Sequence, residues 1–102
     1  MSLFYYLNPD HTYRPCTVDE WVEQFQTTDR KLAGDVINGL HVSTVWLGNN
    51  HNFLGGVPLV FETMIFNKNG IDVYVDRYTT WDEALEGHKK AVQWILDGCN
   101  NE

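Results

Sequence analysis

Proton transfer in this chain would fall to its four histidines, His11, His41, His51 and His88, and none stands in a His-Glu-x-x-His, His-x-His or Cys-x-x-Cys arrangement. That spacing predicts no metal site. A base and an acid brought together from His51, Glu62 and His88 would suffice for simple hydrolysis. No Gly-x-Ser-x-Gly elbow, phosphate-binding Gly-Lys-Ser/Thr loop or dinucleotide fingerprint occurs, and Cys16 has no evident histidine partner. The sequence thus assigns no catalytic residue and no cofactor, and the chemistry it favours is binding.

Binding residues must be positioned by elements, and these can be read in order. Leu3 to Leu7 is strand-like and is stopped by Asn8-Pro9-Asp10. Thr17 with Glu20 forms a capping box for a helix whose apolar face is Val18, Trp21, Val22 and Phe25. Residues 28–39 read as a connector or a short irregular element. His41 to Leu47 is β-branched and aromatic and suits a strand. Leu59 to Phe66 is the next strand, joined through Asn69-Gly70 to Ile71–Tyr78. Thr80 and Glu83 cap a second helix with an apolar face of Trp81, Ala84, Leu85, His88, Ala91, Val92 and Ile95, ended by Gly98. The order β-α-β-β-β-α predicts an α+β fold with a largely antiparallel sheet and two helices packed on one face, in one domain over residues 1–102.

A two-residue turn at Asn69-Gly70 sets Phe66 opposite Val73, Met64 opposite Val75 and Glu62 opposite Arg77. Glu62 and Arg77 then share a sheet face with Ile71, Val73 and Val75, the apolar set expected beneath the helices. His88 lies at the centre of the second helix's apolar stripe, so Glu62, Arg77 and His88 are expected to form one semi-buried polar cluster. A structural ion pair beside a satisfied core histidine is the alternative. The opposite face carries Leu59, Phe61, Thr63, Ile65, Tyr74 and Tyr78. Left uncovered, it predicts a homo-oligomer through this second sheet face, unless residues 8–16 or 28–39 fold over it.

The segment Gly48-Asn49-Asn50-His51-Asn52-Phe53-Leu54-Gly55-Gly56-Val57-Pro58 is longer than a hairpin needs. Its backbone N–H groups can converge on an anion, while Trp46, Phe53, Tyr74, Tyr78 and Trp81 offer planar faces for a base. The expected ligand-binding set is Trp46, Asn50, His51, Phe53, Glu62, Arg77, Tyr78 and His88, and the expected ligand is small and nucleotide-like. Ordinary core packing by the aromatics is the competing explanation.

Fourteen acidic against seven basic residues give a net charge of −7. Such a field repels phosphate backbones, which argues against direct duplex nucleic acid. No apolar run reaches the length of a membrane span and the N-terminus lacks a signal-peptide layout, so no membrane partner and a cytoplasmic location are expected. Cys16 and Cys99 are expected as free thiols.

The run His41-Val-Ser-Thr-Val-Trp-Leu-Gly48, then Asn50-His51-Asn52-Phe53, Pro58-Leu-Val-Phe-Glu-Thr-Met-Ile-Phe66, Arg77-Tyr78-Thr79-Thr80 and Gly87-His88 resembles a group of small phage- and prophage-encoded proteins of unassigned function. The resemblance covers about half the chain and implies a viral origin without supplying a reaction. Joined to the loop and the aromatics, it leads to the expectation of a counter-defence protein that binds and sequesters a nucleotide immune signal, such as a cyclic nucleotide or an ADP-ribose derivative. Two alternatives are an acidic inhibitor that docks on a host defence protein through Asp19, Glu20, Glu23, Asp82, Glu83 and Glu86, and a small nucleotide hydrolase.

Overall fold

The structure, a computed structural model, describes residues 2–98. The elements run β1 (Tyr5–Leu7), β2 (Tyr13–Pro15), α1 (Val18–Thr27), β3 (Lys31–Ile37), β4 (Leu40–Trp46), β5 (Phe61–Phe66), β6 (Asp72–Tyr78) and α2 (Trp81–Leu96). The fold is α+β, with β3-β4-β5-β6 in one antiparallel sheet and β1-β2 in a second, two-stranded ribbon. Both helices begin at the expected capping boxes, with Thr17 accepting from the Glu20 amide and Thr80 from the Glu83 amide. Helix α2 covers the four-stranded sheet, whereas α1 lies against β1. There Gln24 is buried and exchanges two hydrogen bonds with the Leu7 backbone, at 2.9 and 2.8 Å, in the manner of a strand partner.

Strands β2 and β3 replace what the sequence reads as turn and connector. Gly34 and Asp35 in the middle of β3 are poor strand formers, so propensity conceals it. Its register is fixed by Asn38-Gly39, where both residues take positive φ (53° and 79°) and Ile37 pairs with Leu40. This is the two-residue mirror-image turn that suits a hairpin. Asn69-Gly70 behaves differently. The Gly70 amide bonds the Asn67 carbonyl and the Asn67 amide the Ile71 carbonyl, which makes a three-residue loop and shifts the register by one. An irregularity between Ile65 and Phe66, which pairs with Asp72 and not Val73, then restores it. Met64 therefore still faces Val75 and Glu62 faces Arg77.

The assignment of faces is the reverse of the sequence expectation. The side under α2 carries Val42, Thr44, Phe61, Thr63 and Ile65, all fully buried, with Tyr74 and Tyr78 from β6. Ala84, Gly87, His88, Ala91 and Ile95 are the buried positions of α2. Glu62, Met64, Val75 and Arg77 lie on the uncovered side, where Val75 remains 42% exposed. The clean alternation in Ile71–Tyr78 invites the opposite choice because valines read as inner and tyrosines as outer. Tyrosine rings bury more area than valines, and with Phe61 and Ile65 beside them they prevail. A homo-oligomer through Leu59, Phe61, Thr63, Ile65, Tyr74 and Tyr78 is thereby overturned, since α2 of the same chain occupies that face. Cys16 is a free thiol, and Cys99 lies outside the described residues. Among the described residues no helix is long and apolar enough to cross a membrane.

The tightest packing is at Tyr78, which is buried against Gly87 with its hydroxyl sealed from solvent beside the Thr63 hydroxyl. Burial pushes its ionisation up to about 12. The unfolded phenol ionises near 10, so protonated Tyr78 stabilises the fold fully below that pH, and the contribution is lost as pH rises through 10 to 12. Tyr78→Phe is expected to leave the melting temperature at pH 7 nearly unchanged, because the buried hydroxyl it removes makes no strong hydrogen bond. It should also flatten the fall in melting temperature above pH 10, as followed by circular dichroism.

Candidate functional site

The expected site residues separate into four places. Arg77 donates from Nε to Glu62 Oε2 at 3.0 Å on the open sheet face, so the cross-strand pair forms as the register requires. His88 does not join it. It lies on the opposite face, where Nε2 meets Asp35 Oδ2 at 2.7 Å and Nδ1 meets Thr44 Oγ1 at 2.7 Å, and Thr44 Oγ1 continues to Thr63 Oγ1 at 2.5 Å. The three-member cluster is corrected accordingly: alternation along β5 and β6 sends Glu62 and Arg77 away from the helix that carries His88.

An acid, an imidazole and a hydroxyl in line resemble the arrangement that activates a nucleophile. Here the hydroxyls of Thr44 and Thr63 belong to residues with no exposed surface, and no reacting atom can reach them. The chain Asp35–His88–Thr44–Thr63 satisfies buried polar groups beneath α2. His88→Leu keeps the volume near constant but removes the bonds to Thr44 and Asp35 and leaves the buried Thr44 hydroxyl with Thr63 alone, with an expected loss of about 1–3 kcal/mol by chemical denaturation.

Trp46 is a core residue, with its ring 5.0 Å from Phe61 and 5.4 Å from Tyr13. Asn50 organises the 48–58 loop, its buried Oδ1 accepting from the amides of Asn52 (2.8 Å) and Leu59 (3.1 Å). His51 and Phe53 are neighbours at 6.0 Å, and Phe53 projects into solvent, 83% exposed. Arg77 and Tyr78 also line a cavity of about 400 Å³ beside Asp76, Glu83, Glu86 and Lys90. That cavity sets three carboxylates against two cations, and Glu83 already accepts the Thr79 and Thr80 amides. It is poorly suited to a phosphate.

A better-suited cleft lies where the β1–β2 ribbon, the end of α1 and the start of β3 meet α2. Its volume is about 310 Å³, and its walls include Tyr6, Leu7, His11, Arg30, Lys31 and Trp81. Three features suit it chemically to an anion. First, Arg30 and Lys31 line it, and neither enters an ion pair: the pairs among the described residues are Arg14–Glu20, Glu62–Arg77 and Asp35–His88. Second, Arg30 is held in place, with its guanidinium carbon 3.7 Å from the Phe25 ring centroid and Nη1 donating to the Trp46 carbonyl at 3.3 Å. A fixed guanidinium binds an anion with less loss of side-chain freedom than a loose one. Third, Asp29, the acidic member of the wall, accepts the Lys31 amide at 3.0 Å, which fixes the turn that presents both cations.

The aromatic member is Trp81, at the first position of α2. His11 stacks on it with ring centroids 3.6 Å apart and planes 4° from parallel. His11 has φ 75°, an unusual conformation for a residue with a side chain, and is exposed. A second cavity of about 410 Å³ adjoins the first across this pair, lined by Asp10, Thr12, Tyr13, Thr80 and Asp82.

Sequence reading misses this cleft because it depends on the turn that joins β1 to β2 and on the start of β3. The Arg30-Lys31 dipeptide, placed three residues after a helix and before Leu32, was the available signal. Among the described residues no three histidine, cysteine, aspartate or glutamate side chains gather as a metal site. No family model, curated protein or solved structure matches the chain.

Proposed function

We propose that the protein works by stoichiometric binding of a small anionic ligand of the nucleotide class, held in the cleft between β1, α1, β3 and Trp81. The observation that carries this reading is the presence of Arg30 and Lys31 in one cleft without carboxylate partners, in a chain of net charge −7. Seven of the chain's 21 charged residues are basic, so two that face a cavity unneutralised form a local exception to the acidic field. At contact distance such local charges outweigh the screened field of remote carboxylates. Tyr6, Leu7 and Trp81 supply the apolar and aromatic walls that small-molecule sites share.

Sequestration fits this geometry better than turnover does. The acid–imidazole–hydroxyl chain is sealed under α2, and His51, Glu62 and His88 occupy different parts of the fold. A sequestering protein needs a shaped cleft and slow release, with no base or nucleophile. The resemblance to small phage proteins supports a biological setting in the host cytoplasm, where a protein of this kind would withdraw a nucleotide immune signal. Native mass spectrometry against cyclic dinucleotides, cyclic mononucleotides and ADP-ribose derivatives tests the reading. One intact nucleotide per chain is expected; a bound mass differing from that of the ligand added would replace sequestration by hydrolysis.

A second reading has its own observation. Phe53, Leu54 and Val57 stand exposed at the tip of the 48–58 loop, with Leu54 100% exposed. Apolar side chains so presented suit a protein partner, such as a host defence enzyme. Leu54→Asp should abolish a host-protein complex and leave nucleotide binding intact.

A further inference from the structure

The cleft and the cavity beside it share two walls, His11 and Trp81, and differ in charge. Arg30 and Lys31 line the first, and the carboxylates of Asp10 and Asp82 line the second. Between them lies the indole face of Trp81, covered by an imidazole in a near-parallel stack at 3.6 Å. A nucleotide has the same polarity along its length, with phosphate oxygens at one end, a planar ring in the middle and exocyclic amino groups at the far edge. We propose that the Trp81 face is the base subsite of the cleft and that the His11 ring occupies it as a displaceable stand-in for the purine of a ligand such as an adenine nucleotide. This assignment rests on the binding reading above and adds to it the orientation and ring class of the ligand.

The stand-in role follows from how His11 is held. Its side chain enters none of the hydrogen bonds or ion pairs found among the described residues, so the stack on Trp81 is the contact that holds the ring there. Its backbone amide donates to the Asn8 carbonyl within the Asn8–Thr12 turn, and its φ of 75° lies in the left-handed region that residues with a side chain adopt uncommonly. Swinging the imidazole out therefore breaks one stack and no hydrogen bond. A purine has a larger ring face than an imidazole and would cover more of the indole, so the exchange favours the ligand. On arrival the base edge meets Asp82, and Asp10, whose carboxyl is held below the ordinary range by hydrogen bonds from the Thr12 hydroxyl and amide. Carboxylates accept hydrogen bonds from amino groups, which gives the far cavity a preference for adenine over a base without an exocyclic amine.

The test is calorimetric titration of the intact protein with adenosine 5′-monophosphate and, in parallel, ribose 5-phosphate, which keeps the anion and lacks the base. Adenosine monophosphate is expected to bind about ten-fold more tightly or better, the range that base stacking on an aromatic side chain supplies. His11→Gly should raise the preference for adenosine monophosphate over ribose 5-phosphate several-fold further, by removing the competitor for the Trp81 face. Trp81→Leu should bring the two ligands to equal affinity. Because Trp81 also contacts the core, His11→Gly, an exposed change, carries the test if the tryptophan variant fails to fold. Equal affinities in the wild-type protein, or a preference that does not rise in His11→Gly, would overturn the base subsite while the anion cleft stands. Binding of neither ligand would overturn the cleft itself.

Discussion

Gly87→Ala is expected to destabilise the fold by about 3 kcal/mol, at the upper end of what overpacking costs in a core. A methyl group at this position would overlap Cε1, Cζ and Oη of Tyr78. Helix α2 crosses β6 at this point, and Gly87 lets the two backbones approach closely enough for Ala84 and Ala91 to be buried on either side. The expected fall in melting temperature is on the order of 10–20 °C for a chain of this size. Tyr78→Leu in the Gly87→Ala background removes the clashing atoms and should recover part of the loss. A Gly87→Ala protein that melts with the wild type would contradict the close α2–β6 approach.

Arg30→Glu is expected to lower nucleotide affinity a hundred-fold or more. A charge-assisted hydrogen bond contributes about 1.5–3 kcal/mol, which is roughly ten- to a hundred-fold in affinity, and reversing the charge adds repulsion to that loss. Arg30 also braces Phe25 and the Trp46 carbonyl, so Arg30→Ala must accompany it as a control for stability. Lys31→Ala, at an exposed position, should cost less, on the order of ten-fold. These losses should be read by calorimetry alongside melting curves. An affinity that follows the melting temperature, and not the charge, would leave Arg30 a bracing residue only.

Local signals located much of the fold. The two Thr-x-x-Glu capping boxes sit where the helices begin, and the apolar stripe of α2 contains each position that the structure buries against the sheet, apart from Gly87. The Glu62–Arg77 pair was legible from arithmetic along one hairpin, although two compensating irregularities produce the register that a single tight turn was expected to give. Which face α2 covers was not legible. Leu59–Phe66 is apolar on both sides, so the choice rested on β6, where alternating valines and tyrosines point to opposite answers.

The cleft was hidden for a different reason. Tyr6, His11, Arg30, Lys31 and Trp81 come from β1, the β1–β2 turn, the approach to β3, β3 itself and α2, and the strand that begins with Lys31 contains Gly34 and Asp35, which mask it. The long 48–58 loop stands out in the sequence by its length and glycine content. In the structure Asn50 ties that loop internally, and its tip presents Phe53 and Leu54 outward, away from any cationic wall.

The most direct test of the binding claim is calorimetric titration of the wild-type protein with adenosine 5′-monophosphate, followed by heat release and mass analysis of the ligand. One site per chain, lost in Arg30→Glu, with adenosine monophosphate recovered unchanged, is the expected result. Binding that survives Arg30→Glu undiminished, or no binding at all, would contradict the assignment of the cleft.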